Sequence, residues 1–112
     1  MTAVTPPDAH LIIDEHDPAL IEAKIISETA KISWLDLQKF YAAGSVLKVA
    51  AQADLVKVAL ALQQDDTAKI SRWLASAEIG QPSVEQAQQW YQQQTQLWAV
   101  VIAPWVLVQQ RD

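Results

Sequence analysis

The segment from Leu97 to Val108 constrains the fold more than any other part of the chain. It is twelve almost entirely apolar residues, five of them β-branched: Val100, Val101, Ile102, Val106 and Val108. This length is too short to cross a bilayer, and the β-branched content disfavours a helix. We predict strands at about residues 98–103 and 105–109, because Pro104 cannot donate to a sheet ladder. Since both faces are apolar, we expect helices or a second subunit to cover both sides.

Helix-starting residues and apolar stripes at helical spacing predict five helices. Asp17 before Pro18 is typical of a helix start, and Gly44 is placed to end a later helix in the left-handed conformation. The predicted helices cover residues 18–31, 34–43, 54–64, 67–77 and 84–95, with Ser33, Asp66 and Ser83 as further caps. A short valine-rich strand is predicted over residues 45–50, and a brief extended segment around residues 78–82.

These elements predict an α+β fold. About five helices pack on a small β-sheet that includes the C-terminal apolar strand, in a single globular domain over residues 18–112. Residues 1–17 contain four acidic residues and no Lys or Arg, so we interpret them as a flexible acidic N-terminal arm. The remaining 95 residues contain nine acidic and eight basic residues. A body this close to neutral gives no long-range attraction to nucleic acid or to an anionic membrane.

The residue types needed for most catalytic chemistry are missing or badly placed. The chain has no cysteine and two glycines, Gly44 and Gly80, so no phosphate-binding loop can be written. Its two histidines, His10 and His16, both lie in the arm and lack metal-ligand spacing. We therefore predict no catalytic site, no cofactor and no metal, in a protein that is not an enzyme. A cysteine-free chain without a signal-peptide pattern is expected in the cytoplasm.

Five tryptophans are the most unusual feature of the composition. Four of them fall on the predicted core stripes: Trp34, Trp73, Trp90 and Trp98. Trp105 lies in the terminal strand, where a core position and an interface position remain equal alternatives, because strands near chain ends often lie at sheet edges. Our first hypothesis is a non-enzymatic interaction module that forms homo-oligomers or binds a protein partner through Trp98, Trp105 and Val106.

Two stretches of the chain resemble a small bacterial family known only as a conserved domain of unknown function. They are FYAAGSVLKV at residues 40–49 and LWAVVIAPWVLVQ at residues 97–109, supported by DLVKVA at residues 54–59 and the double aspartate at 65–66. The resemblance covers about residues 30–110, and Ala53 departs from the family's pattern. It implies a bacterial cytoplasmic protein and brings no activity with it.

The order of the predicted elements is also similar to that of winged-helix domains. In that comparison residues 54–64 and 67–77 form a helix-turn-helix, and a winged-helix-like core is an open alternative within the α+β class. Lys69, Ser71 and Arg72 would then contact nucleic acid, although the preceding aspartates would repel phosphates from that helix start. Nucleic-acid binding is accordingly the second hypothesis. A small-molecule pocket between the helices and the sheet is a third, with no ligand indicated.

Overall fold

The fold is taken from a computed structural model, which describes residues 17–111. The helices along these residues are α1 (Pro18–Glu28), α2 (Trp34–Ala42), α3 (Leu55–Gln63), α4 (Thr67–Ala75) and α5 (Val84–Gln92). The strands are β1 (Ala30–Ser33), β2 (Val46–Val49), β3 (Ile79–Gly80), β4 (Gln96–Ile102) and β5 (Trp105–Gln109). The predicted arm, apart from Asp17, lies outside the described residues.

Side-chain caps explain where the helices begin. The side-chain oxygen of each residue before a helix accepts a hydrogen bond from a backbone N–H of the first turn; these caps are Asp17, Ser33, Asp54, Asp66 and Ser83. Such bonds satisfy N–H groups that have no partner within the helix. Gly44 follows α2 with a φ of 77°, the left-handed conformation predicted for it. The start of each helix is therefore encoded locally.

The five strands form one mixed sheet in the order β1-β4-β5-β2-β3. β4 and β5 form an antiparallel hairpin that turns at Ala103 and Pro104, with Ile102 opposite Trp105. β5 runs parallel to β2, while β1 and β3 pair antiparallel at the two edges. The prediction that the C-terminal segment is strand, divided at Pro104, is confirmed.

The first predicted helix is too long, because residues 30–33 form strand β1. The residue after α1, Thr29, has extended backbone angles, and its hydroxyl donates to the carbonyl oxygen of Ile25 at 2.7 Å. Ala30 to Ser33 then pair with residues 96–99 of β4. This pairing depends on a segment more than sixty residues away along the chain, which the local sequence cannot indicate.

Each face of the sheet carries its own hydrophobic core. The α3 core lies under α1, α3 and α4, and it includes Leu47, Val58, Val100 and Leu107. The α5 core lies under α2 and α5, and it includes Trp34, Trp90, Leu97, Val106 and Val108. Helices of the same chain thus cover both faces of β5, which is why its side chains can be apolar on either side.

The similarity to winged-helix domains extends only to the order of elements. α3 and α4 are joined by the short turn Gln64–Asp66, and a hairpin ends the described fold. The sheet, however, has five strands, and its centre is the parallel pair β2 and β5. Over residues 17–111 the protein has an α+β fold of five helices on a five-stranded mixed sheet.

Candidate binding surfaces

The three residues predicted to form an interface do not share a surface. Val106 points into the α5 core and is only 3% exposed, because helices of its own chain cover it. Trp98 and Trp105 are half-buried on the opposite face, packed against the α3 core. The Lys31 ammonium lies 5.5 Å from the Trp98 ring centroid and partly shields it. An interface that includes Val106 therefore does not fit this fold.

The residues considered for nucleic-acid contact lie together on α4. Lys69, Ser71 and Arg72 are all exposed. Lys69, however, is in an ion pair with Asp66, with 3.7 Å between Nζ and Oδ2. That pairing and the neighbouring Asp65 lower the positive potential at the helix end that a phosphate would approach.

A groove runs between α2 and α5 on the outside of the α5 core. Its volume is about 630 Å³, and nine residues line it, four from α2 and five from α5. None of the nine is charged. Val84 and Tyr91, on the α5 side, are 61% and 54% exposed. The groove is therefore a neutral surface with two large apolar side chains left in solvent.

Aromatic packing gives the groove a firm floor. The Trp34 ring lies edge-on to Trp90, with 5.0 Å between centroids, and 5.5 Å from the centroid of Tyr41. The Tyr41 hydroxyl donates to the carbonyl oxygen of Pro82 at 3.2 Å, which ties α2 to the segment before α5. Because Trp34 and Trp90 are almost fully buried, the floor of the groove is held by the core.

A second cavity, of about 620 Å³, lies where β2 ends. Its eleven lining residues come from the end of β2, the loop after it, the segment 77–83 that contains β3, and the residue after β5. Lys48 is the one charged residue among them. No local sequence pattern indicates this cavity, because it is formed by segments that only the sheet brings together.

Gln109 is a structural residue that the sequence analysis missed. It is 1% exposed, and its side-chain amide donates to the carbonyl oxygens of Ala50 and Ala53 at 2.8 and 2.7 Å. These bonds hold the loop between β2 and α3, on which the second cavity depends. Its carbonyl oxygen Oε1 is buried without a hydrogen-bond partner. The only signal in the sequence is a polar residue directly after the apolar segment.

Between residues 17 and 111, no group of three or more His, Asp or Glu side chains is arranged to hold a metal ion. The predicted histidine-containing arm lies outside that range. No helix of the described part of the chain is long and apolar enough to cross a membrane.

Comparisons with known proteins agree with this architecture. The profile of a family described as "Protein of unknown function (DUF2288)" matches residues 20–110. The NMR solution structure of PA1075 from Pseudomonas aeruginosa is similar, with a TM-score of 0.73 and 41% sequence identity over 89% of this chain and 92% of that one. No curated protein matches the chain.

Proposed function

The chain belongs to the DUF2288 family, and because that family's description names no activity, we propose from the geometry that this protein is a non-enzymatic interaction module that self-associates through the α2–α5 groove. The same proposal places it in the cytoplasm, consistent with a cysteine-free sequence. The observation that carries it is the uncharged groove with Val84 and Tyr91 exposed on the α5 side.

The composition of the groove supports a protein partner. Interface centres are depleted in charged residues and enriched in aromatic ones, whereas an ordinary solvent-facing helix pair carries many charges. The lining has Trp34, Tyr41 and Tyr91 and no charged side chain. Leaving Val84 and Tyr91 in water forgoes the stabilisation that apolar burial provides.

A second copy of this chain is the partner that fits best. The surface contains both a concave part and protruding apolar side chains, so a two-fold axis can place Tyr91 of each copy against the groove of the other. The body outside the arm is close to neutral, with nine acidic and eight basic residues. Like-charge repulsion between the bodies of two copies is therefore weak.

Sedimentation velocity over a range of micromolar concentrations tests the proposal. The wild-type chain should shift towards a dimer as concentration rises, and Val84→Glu should remain monomeric because it buries a charge in the contact. Glu at the first helical position suits the helix dipole, so the variant should still fold. Leu74→Glu is the matched control, since Leu74 is 50% exposed on α4, away from the groove, and should leave dimerisation unchanged.

Two results would overturn the proposal. A wild-type chain that stays monomeric at the highest soluble concentration rules out self-association. Dimerisation that survives Val84→Glu but is lost in Trp98→Ala or Trp105→Ala instead assigns the contact to the half-buried tryptophans near the hairpin.

Nucleic-acid binding through Lys69, Ser71 and Arg72 is the alternative function, supported by their common exposed position on α4. It requires a gel shift that weakens with salt and is lost when Lys69 and Arg72 are both changed to Ala. The Lys69–Asp66 ion pair makes this the weaker of the two hypotheses.

A further inference from the structure

The cavity at the end of β2 lies where ligands are commonly bound in sheets with parallel strands. β2 and β5 run parallel and end side by side, with Val49 beside Gln109. The loop that starts at Ala50 and the residue Gln110 leave from these ends and line the cavity. In open α/β sheets, the crevice outside the carboxyl ends of parallel strands is the usual ligand position.

The hydrogen bonds around the cavity use up acceptors and leave donors available. Lys48 Nζ donates to Gln86 Oε1 at 3.2 Å, and Trp90 Nε1 donates to Gln110 Oε1 at 2.9 Å. Because lysine and tryptophan can only donate, these bonds fix which end of each amide faces them. The Gln110 amide N–H groups and two of the three Lys48 N–H groups remain without an acceptor within the described residues.

The positive charge at the cavity favours an anionic ligand, as the unpaired hydrogen-bond donors do. No Asp or Glu is among its eleven lining residues. Lys48 has no carboxylate within 4.0 Å among residues 17–111, where the single ion pair is Lys69–Asp66. Lys48 is half-buried, so solvent screens its charge less than that of a fully exposed lysine.

We propose that this cavity binds a small organic anion, whose carboxylate or phosphate oxygens accept hydrogen bonds from Lys48 and the Gln110 amide. The volume of about 620 Å³ is within the range of small-molecule sites. Charge-assisted hydrogen bonds from an ammonium to such oxygens are the strong kind. The site is separate from the α2–α5 groove, so it does not depend on self-association.

NMR titration of the ¹⁵N-labelled full chain tests the site. Inorganic phosphate and succinate are added in separate experiments, with sodium chloride holding the ionic strength constant. Binding should produce saturable shifts in the backbone amides of Lys48, Gly80, Ser83 and Gln110. Saturation with phosphate alone, with succinate alone or with both supports the site and identifies the preferred oxyanion.

Three variants make the titration decisive. Lys48→Met should weaken binding about tenfold or more, whereas Lys57→Met, at an exposed lysine on α3, should have no effect. Gly80→Val keeps Lys48 and tests whether the ligand occupies the space beside Gly80. Gly80 lies opposite Lys48 in the sheet, so a side chain added there projects from the same face, and its Cβ meets no atom within 4 Å. It should also weaken binding.

Two outcomes overturn the inference. One is the absence of saturable shifts with either anion. The other is an equal effect of Lys48→Met and Lys57→Met, which would show only general attraction of anions to a cationic side chain.

Discussion

Replacing Gln109 tests whether its amide, rather than its size, holds the loop between β2 and α3. Gln109→Leu removes the two hydrogen bonds to Ala50 and Ala53, at about 1 kcal/mol each. It also removes the buried Oε1 that has no partner, which stabilises the folded state by about 1 kcal/mol. The expected net loss in the free energy of unfolding is therefore about 1 kcal/mol.

Gln109→Glu should lower the free energy of unfolding much more than Gln109→Leu, although glutamate matches glutamine in size. It places a carboxylate oxygen where Nε2 now donates, facing two carbonyl oxygens at 2.8 and 2.7 Å. An uncompensated buried charge costs roughly 3–5 kcal/mol. Gln110→Glu is the matched control, because Gln110 is exposed and uses its oxygen to accept from Trp90, a role that a carboxylate keeps.

Urea unfolding followed by tryptophan fluorescence measures these differences as shifts in the midpoint at constant slope. The expected order of stability is wild type and Gln110→Glu, then Gln109→Leu, then Gln109→Glu. If Gln109→Glu proves more stable than Gln109→Leu, the side chain acts by filling space and the hydrogen-bond argument is wrong.

Substitutions at three further positions test local features by thermal unfolding. Gly44→Ala should cost about 1 kcal/mol through its left-handed backbone alone, since the added Cβ meets Gln81 at an ordinary 3.7 Å; equal stability would contradict this. Asp54→Ala should cost about 1 kcal/mol by removing the α3 cap, whereas Asp54→Asn should stay close to wild type; similar losses in both would refute the capping role. Tyr41→Phe should cost about 1 kcal/mol because it removes the hydrogen bond to Pro82, and unchanged stability would contradict this.

The elements that could be predicted are those encoded by neighbouring residues. Caps such as Ser33 and Ser83 indicate where helices start, because each side chain accepts a hydrogen bond from a backbone N–H two or three residues later. The residues at which helices end are harder to predict from the sequence. The predicted helix over residues 84–95 stops at Gln92, and Gln94 then adopts a φ of 52° without a glycine to mark the end. Strand β1 was missed because its partner is β4, far along the chain.

The candidate sites could not be predicted, because they are formed by segments distant in sequence. The groove needs α2 beside α5, and the cavity needs the end of β2 beside β3 and Gln110. Lys48 lies within the strand predicted over residues 45–50, but nothing in the sequence places it beside Gln86 and Trp90. Val106, a predicted interface candidate, is 3% exposed, because α2 and α5 lie over the α5 core that contains it.

The central position of β5 has a consequence for how this protein is made. β5 is the final strand of the described chain, yet it joins β4 on one side to β2 on the other. Until the ribosome releases residues 105–109, the pairs β1–β4 and β2–β3 have no strand to connect them. The nascent chain must therefore keep two apolar half-sheets apart until residues 105–109 have left the ribosome, and a product truncated at Pro104 should be an early target for proteases.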